Sequence, residues 1–339
     1  MVGNKKLVYL TLLLSPLVVG MVALFFGAYF ISPVKIFDIL SGKLTGSSNH
    51  LNPQESSIII DIRLPRILLS CLVGMALSLS GAVMQGVFRN PLVDPYILGV
   101  SAGAAFGCSL GVGFIPKIPI QFISFLFALA AVLLSYSIAR TAGGVGLSSL
   151  VLVLSGVVVS ALFSALVSLI KFLVDPHKLQ SIVFWLMGSF SIADWKGVKL
   201  ATIGIIPFSL PLLLMSWRLN LLSLPEEEAL SLGVNVKRER FVFLSLATFI
   251  VAVAVSLSGI IGWIGLIVPH LVRMLVGPNH KRLLLLSMSS GGSFMIFADT
   301  LARNVSQFDI PVGVITAVLG APFFIYLLKK GGGQQWESQ

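Results

Sequence analysis

The chain has 339 residues, of which 56% are hydrophobic and 11% charged, and its mean hydropathy is +1.00. A soluble globular domain carries about 25% charged residues, so this composition excludes a soluble protein. The formal net charge of +10 fits basic loops on one side of a membrane, and no nucleic-acid partner is expected.

Ten apolar stretches follow one another along the chain, and each is close to the roughly 20 residues that a transmembrane helix needs. No Asp, Glu, Lys or Arg lies near the middle of any of them. We therefore predict an all-α, polytopic membrane protein that forms a single domain over residues 1–339. The predicted spans are Leu7–Phe30, Ile67–Phe88, Tyr96–Phe114, Ile118–Ile138, Leu147–Phe172, Val198–Trp217, Phe241–Leu257, Ile260–Val276, Leu283–Ala298 and Val312–Leu328.

The basic residues predict how the chain is oriented, because Lys and Arg in short loops mark the cytoplasmic side. With ten spans both termini share a side, and a cytoplasmic placement puts 13 of the 23 basic residues there. We expect a protein of the cytoplasmic membrane, in contact with its lipid, with both termini in the cytoplasm. The 13 residues are Lys5, Lys6, Arg89, Arg140, Arg218, Lys237, Arg238, Arg240, Arg273, Lys281, Arg282, Lys329 and Lys330.

Three arginines oppose this bias at the external side. Arg63 and Arg66 come just ahead of the second predicted span, and Arg303 follows the ninth. One interpretation is that their side chains extend to lipid headgroups. The alternative is a docking surface for an acidic partner, since arginine is suited to bidentate pairing with carboxylates.

A short internal repeat divides the chain into two related halves. Ser78–Gly81 and Ser256–Gly259 carry the same four residues, and each is followed by a proline ten residues after its glycine. The copies are five spans apart, which predicts an inverted-topology repeat with halves at about 58–172 and 241–329. A chance match in a chain rich in serine and leucine is the alternative.

Turn-forming residues interrupt the predicted spans after both copies, at Asn90–Pro95 and at Gly259–Pro269. Broken backbone at membrane depth is tolerated only where protein or a water-filled cavity satisfies it, so these interruptions indicate a pathway. Close packing through glycine is the alternative for each single position. On the fifth span, four small residues with a spacing of four predict either a tight helix contact or a smooth pore wall: Gly156, Ser160, Ser164 and Ser168.

The loop 218–240 has helix signals of its own. Pro225 suits a first helical position, the three glutamates that follow complement a helix N-terminus, and Gly233 suits a C-terminal cap. Asn235 is placed to cap a second short helix that leads into the seventh span. We predict a compact cytoplasmic helical element that binds a partner, with a merely solvated loop as the alternative.

The sequence also limits how transport can be powered. All thirteen acidic residues lie at span ends, in loops or in the tail, whereas ion-coupled carriers usually keep an ionisable residue inside the bundle. No phosphate-binding glycine loop is present, so ATP would have to be bound by a separate subunit. No catalytic residue and no metal-ligand set is predicted. An ion-coupled carrier and a membrane scaffold remain the rival classes.

The chain resembles the permease subunits of bacterial ATP-binding-cassette importers for ferric siderophores, haem and cobalamin, of the FecCD/BtuC type. The resemblance covers nearly the whole chain. It is carried by four motifs in order, namely Arg63–Arg66, Ser80–Pro95 with Leu98–Gly103, Gly259–Arg273 and Pro311–Phe324.

This resemblance implies a type II ABC importer fold, with a homodimer of ten-helix subunits around a central pathway. It also implies two ATPase subunits that bind ATP and Mg, an extracytoplasmic substrate-binding protein, and no cofactor on this chain itself. Ferric siderophore is the expected cargo, with haem, cobalamin and molybdate as alternatives.

Site residues follow from the same resemblance. Arg63, Arg66 and Arg303 match arginines that meet glutamates of the binding protein. A second group matches the coupling helices that fit a cleft in the ATPase, namely Glu226, Glu227, Glu228, Ala229, Leu230 and Gly233. Asn90, Leu92 and Ser149 match positions of the cytoplasmic gate.

Overall fold

The computed structural model describes residues 2–27, 29–45, 52–142, 149–305 and 308–331. Regular structure within these ranges is helical. A π-helical segment, Ile58–Arg63, joins α3 to α4 without a break. The α-helices are α1 Val2–Phe25, α2 Pro33–Thr45, α3 Pro53–Ser57, α4 Leu64–Phe88, α5 Val100–Phe114, α6 Ile120–Ala142, α7 Ser149–Leu173, α8 Pro176–Leu186, α9 Trp195–Leu214, α10 Ser216–Leu222, α11 Glu226–Ser231, α12 Val236–Ser258, α13 Ile264–Val276, α14 His280–Asn304 and α15 Val312–Gly331.

The all-α prediction is confirmed, and each of the ten predicted spans overlaps a helix. Among the described residues, seven helical stretches are long and apolar enough to cross a membrane: Lys6–Phe25, Pro53–Phe88, Ile120–Ala142, Ser149–Leu173, Trp195–Leu214, Val236–Ser258 and His280–Asn304. The apolar parts of α5, α13 and α15 are shorter. The 15 residues of α5 rise about 22 Å, less than the roughly 30 Å of a hydrocarbon core.

Several predicted boundaries are wrong for a common reason. The chain stays apolar across segments where the helix stops, so composition alone extends the span too far. The first span ends at Phe25 rather than Phe30, α5 begins at Val100 rather than Tyr96, and α13 begins at Ile264 rather than Ile260. Arg63 and Arg66 also lie within a continuous helix, Pro53–Phe88, and not ahead of it.

Four helices were not expected: α2, α3, α8 and α10. The start of α8 does carry a local signal, because Asp175 accepts from the backbone N–H groups of His177 and Lys178, both at 3.1 Å, and Pro176 takes the first helical position. These N–H donors, with that of Lys178 foremost, lower the pKa of the exposed Asp175 carboxyl.

Helix α4 forms the centre of the molecule. In its most apolar stretch 78% of the residues are buried, against 33% in α7 and 11% in α1. Helices α9, α12, α13 and α14 surround it. Helices α1, α6, α7 and α9 leave most of their apolar stretches outside the core, so these helices face lipid or another chain.

The two copies of the repeat lie on helices that run in opposite directions. Ser80 in α4 donates to the carbonyl of Ala247 in α12 at 3.1 Å, and the charge of Arg89, just after α4, acts on Arg240 near the start of α12. Opposite directions are what an inverted repeat requires. The copies differ locally, since Gly81 lies inside α4 while Gly259 ends α12 with a φ of 72°. The repeat itself stays a prediction.

Helices α4 and α14 approach each other through glycine. A Cβ atom at Gly291 would lie 2.3 Å from the Cβ of Ser78 and 2.4 Å from the carbonyl oxygen of Gly74. Such contacts leave no room for a side chain, so the backbones themselves form this interface.

We predict that Gly291→Ala lowers the free energy of unfolding by about 1–3 kcal/mol, because the added methyl group forces α14 away from α4. Thermal unfolding in detergent measures the change. Gly262→Ala is the matched control, since a Cβ there meets nothing within 4 Å. Equal unfolding midpoints for the two variants would contradict the prediction.

Candidate functional site

The structure brings together, at one end of the bundle, the three arginines that were predicted to be external. We call Arg63, Arg66 and Arg303, together with Asp299 and Asp309, the arginine cluster. Each of the three guanidinium groups is bonded within the chain. Their docking role stays a prediction, and any docking has to start from arginines that already have partners.

Arg63 fastens the C-terminal end of α1. Its Nη1 donates to the carbonyl of Leu24 at 2.6 Å and its Nη2 to the carbonyl of Tyr29. Only 3% of the residue is exposed. A Cβ at Gly27 would lie 2.7 Å from Nη2, so the glycine makes room for the guanidinium. The last carbonyls of a helix lack partners within it, and a cation placed there is favourable.

Arg303 adds a second cation at the same helix end. Its Nη2 donates to the carbonyl of Ala23 at 2.9 Å and lies 3.4 Å from the hydroxyl of Thr300. The residue is half-buried. Helix α1 has no basic residue in its own last turn, so two distant arginines take that role.

Arg66 is held by two carboxylates. Its Nε lies 3.0 Å from both carboxylate oxygens of Asp299, and its Nη2 lies 3.0 Å from Oδ1 of the same residue. Its Nη1 donates to Asp309 at 2.9 Å. We did not predict these pairs from the sequence, although Asp299 and Arg303 are four residues apart and therefore share a helix face.

The opposite end of the bundle carries the short helix α11. The 23 residues from Arg66 to Arg89 correspond to about 35 Å of helix, which separates the arginine cluster from this end. Among the predicted coupling residues, Ala229 is fully buried, whereas Leu230 is 56% exposed. Glu226, Glu227 and Glu228 form its exposed first turn.

A Schellman motif closes α11. The backbone N–H of Val234 donates to the carbonyl of Ala229 at 3.1 Å, and that of Gly233 donates to Leu230 at 2.9 Å, with Gly233 at a φ of 76°. The predicted C-terminal role of Gly233 is therefore confirmed. Pro225 occupies the N-cap rather than the first helical position.

The second short helix expected after Asn235 does not form. Asn235 accepts from the N–H of Arg238 at 3.1 Å, as predicted, but the helix it caps is α12 itself, which continues to Ser258. No glycine or proline occurs between Arg240 and Ser258, so the helix that Asn235 caps continues as α12. The bridge between Arg218 and Glu239, at 2.6 Å, holds this helix start against α10.

The predicted gate loop follows α4. Arg89 ends the helix in the left-handed region, with a φ of 51°, and its Nε donates to the carbonyl of Leu222 at 3.0 Å. Asn90 accepts from the N–H of Leu92 at 2.9 Å, and both residues are exposed. Ser149 is the first residue of α7 and is half-buried, next to residues outside the described ranges.

The two predicted interruptions meet inside the bundle. The hydroxyl of Tyr96, ahead of α5, donates to the carbonyl of Ile261, ahead of α13, at 2.8 Å. Pro95 is packed so tightly on Gly265 that a Cβ there would lie 2.4 Å from the proline ring. The break before α13 includes Trp263, at a φ of 74°. The segment ahead of α5 therefore satisfies a backbone carbonyl of the segment ahead of α13, as membrane depth requires.

The small-residue stripe of α7 divides into two parts. A Cβ at Gly156 would lie 2.1 Å from the carbonyl oxygen of Ile97, and the hydroxyl of Ser160 approaches Gly99. These positions are tight contacts with the segment that leads into α5. Ser164 and Ser168 are exposed. The pore wall therefore stays a prediction only for the part of the stripe that these two serines form.

Three glycines form a backbone junction between α8, the α12–α13 break and α15. A Cβ at Gly188 would lie 2.6 Å from the carbonyl oxygen of Ile260. A Cβ at Gly259 would lie 2.2 Å from the carbonyl oxygen of Trp185, and a Cβ at Gly313 would lie 2.2 Å from the carbonyl oxygen of Met187. The N–H of Gly313 donates to Met187 at 3.1 Å. We call these contacts the glycine junction. Backbone carbonyls fill the space at all three glycines, so a side chain at any of them would force these elements apart.

Comparison with known proteins identifies a transport family. The sequence profile of the FecCD transport family matches residues 13–330. A Helicobacter pylori protein named as a probable iron chelatin transport system permease is 47% identical over 278 residues, which are 82% of this chain and 84% of that protein. The molybdate import system permease MolB of Haemophilus influenzae is 44% identical over 335 residues, 97% of each chain.

A solved structure shares the fold. It is described as an inward-facing conformation of an ABC transporter of metal-chelate type, with a TM-score of 0.86 and 40% sequence identity. The match covers 96% of this chain and 99% of that one.

We predict that Gly27→Ala destabilises the protein by about 1–3 kcal/mol, because the methyl group displaces the guanidinium of Arg63 from the carbonyls that it caps. The charge of Arg63 is unchanged in this variant. Unfolding in detergent measures the effect. Gly20→Ala, whose Cβ would be in ordinary contact at 3.6 Å, is the control and is expected to be neutral or slightly stabilising. A Gly27→Ala protein as stable as this control would show that Arg63 does not fasten α1.

Proposed function

The chain belongs to the FecCD transport family, and on that premise we propose that it is the permease of an importer that carries a metal chelate, foremost a ferric siderophore, into the cytoplasm. It is a multi-pass membrane protein and an ABC transporter permease. The observation that carries the proposal is the placement of α11 and the arginine cluster at opposite ends of one helical bundle. One end is suited to an ATPase and the other to an acidic binding protein.

The cytoplasmic partner in this proposal is a pair of ATPase subunits, which bind ATP and Mg. Leu230 and Leu232 are 56% and 61% exposed on α11 and the turn that follows it. Exposed leucines on a rigidly capped helix are suited to a groove in another protein. The ion pair between Glu226 and Arg240, at 3.9 Å, joins this helix to α12, so a displacement of α11 reaches the broken segment that follows Ser258.

The external partner is a substrate-binding protein that presents carboxylates. Arginine pairs with carboxylates bidentately, and the cluster holds three arginines against two aspartates. Two copies of this chain enclose the pathway, and α7 contributes to its wall. From Ser149 to Ile170 this helix has no charged residue, so it can pass a bulky chelate without binding it strongly.

The related proteins include one named for an iron chelate and one named for molybdate, so a bulky chelate and a small oxyanion are both candidate cargoes. An oxyanion passing through a pathway is expected to need fixed cations or N–H donors. The exposed half of the α7 stripe offers only the hydroxyl groups of Ser164 and Ser168. This favours a bulky chelate over molybdate, with haem and cobalamin as further members of the same class.

An ion-coupled carrier is the rival that this structure disfavours. The buried charged residues of the described chain all lie outside the ten predicted spans: Glu55, Arg63, Arg66, Arg240, His280 and Asp299. Asp299, the most buried carboxylate among them, is held by Arg66. Coupling to protons or sodium needs a site whose charge changes during transport.

The deciding experiment reconstitutes the permease with its ATPase subunits and binding protein in liposomes. We expect uptake of a ferric hydroxamate that requires ATP, and little uptake of molybdate offered in parallel. Accumulation driven by a proton or sodium gradient without the ATPase would overturn the proposal.

We predict that Leu230→Ala weakens association with the ATPase by about fivefold or more, because a truncated interface anchor typically costs more than about 1 kcal/mol. ATP hydrolysis stimulated by the binding protein should fall with it. Leu210→Ala is the control, since this leucine is 55% exposed but lies on α9. Unchanged association for Leu230→Ala would count against the role of α11.

A further inference from the structure

The two carboxylates that hold Arg66 differ in how easily they can be replaced. Asp299 has a side chain that is 1% exposed and faces both Nε and Nη2 of the guanidinium. Asp309 has a side chain that is 39% exposed, and it accepts a hydrogen bond from Nη1. Asp299 is therefore a permanent partner, while Asp309 is an outer partner with access to solvent.

Arg66 cannot be reached from outside while Asp309 is in place. The arginine side chain is only 9% exposed, and its Nη1 is the donor to Asp309, the more exposed of its two partners. A buried charge that loses a partner is strongly destabilised. An incoming carboxylate therefore has to replace Asp309, not add to it.

The charge of the cluster suits such a replacement. Three arginines and two aspartates leave an excess of one positive charge. The bonds given above for Arg63 and Arg303 run to uncharged oxygens of Leu24, Tyr29, Ala23 and Thr300, so their charge stays available to attract an acid. Once Asp309 has moved away, an external carboxylate on Nη1 restores the original balance.

We propose that Asp309 is a built-in competitor for the docking partner, and that docking is an exchange of carboxylates on Arg66. This inference rests on the proposed function, because it takes the partner to be an acidic binding protein. Exchange makes the docking free energy the difference between two similar ion pairs. The partner is therefore recognised by charge and geometry and is still released readily.

The exchange also reaches the glycine junction. Asp309 lies two residues before Pro311, and the next two residues begin α15 and join the glycine junction through the bond from Gly313 to Met187. Ile310 is tied back by a long N–H bond of 3.4 Å to the carbonyl of Ala302. Release of Asp309 therefore loosens the segment that holds α15 against the end of α8.

The test measures docking of the purified binding protein to the complete transporter in nanodiscs. Asp309→Asn removes the competing charge and keeps the size of the side chain, so we expect the Kd to fall about tenfold, which corresponds to about 1.4 kcal/mol. Asp309→Glu keeps the competitor and should stay close to the wild-type Kd.

Asp61→Asn is the control for general surface charge. Asp61 is an exposed acid on the π-helical segment, and its partner is Ser57 at 3.0 Å, not Arg66. Its effect on docking should be small and should vanish at high salt. If Asp61→Asn tightens docking as much as Asp309→Asn does, the exchange is refuted.

A second measurement needs no variant and covers the case in which Asp309→Asn folds poorly. Amide hydrogen exchange of the segment from Asp309 to Gly313 should become faster when the binding protein docks to the wild-type transporter. Slower or unchanged exchange would overturn the proposal. Wild-type transporter that captures no binding protein at any salt concentration would instead refute the proposed function, whereas normal capture with no gain in Asp309→Asn refutes only the exchange.

Discussion

The structure depends on one constraint, which is that hydrocarbon offers no hydrogen bonds to a broken backbone. Helices α5 and α13 are too short to cross a bilayer, so the segments ahead of them have to be satisfied by protein. The hydroxyl of Tyr96 does this for the carbonyl of Ile261, and Ser135 does it for the carbonyl of Leu98 at 3.0 Å. The close approach of Gly81 to Gly265 brings α4 against the same region. The irregular centre of the bundle is thus an internally bonded unit, not a disordered one.

The clustered charged residues lie at the two ends of the bundle, on either side of that unit. The arginine cluster lies at one end and the ion pairs of α10–α12 at the other, with α4 running between them. Motion at either end reaches the broken segments through continuous helix or through backbone contacts such as the glycine junction. This arrangement fits a permease whose conformation is set by partners outside the membrane. Rigid elements join the two ends of the bundle, where partners would bind, to the broken segments between them.

Local features of this fold could be predicted from sequence, and distant pairings could not. The apolar spans and the caps at Gly233 and Asn235 depend on residues within a few positions, which composition and spacing reveal. The starts of α5 and α13 were misplaced because Tyr96 and Ile260 continue an apolar run. No feature of the sequence indicates the left-handed backbone of Trp263. The partners of Arg66 are 233 and 243 residues away along the chain. The three arginines were found as candidates, but the acids that hold Arg66 were not.

The fastening of α1 has a consequence for how the protein is made. Its last turn is capped by Arg303, 280 residues later, and Ser15 meets the hydroxyl of Ser293 at 2.6 Å. The packing of α1 therefore waits for residues made about 280 positions later, which at about 5–20 residues per second takes roughly 15–55 s. With a mean hydropathy of 2.3 in its apolar stretch, α1 can spend that time in lipid. The contact between α1 and α14 is accordingly completed only after α14 has been made.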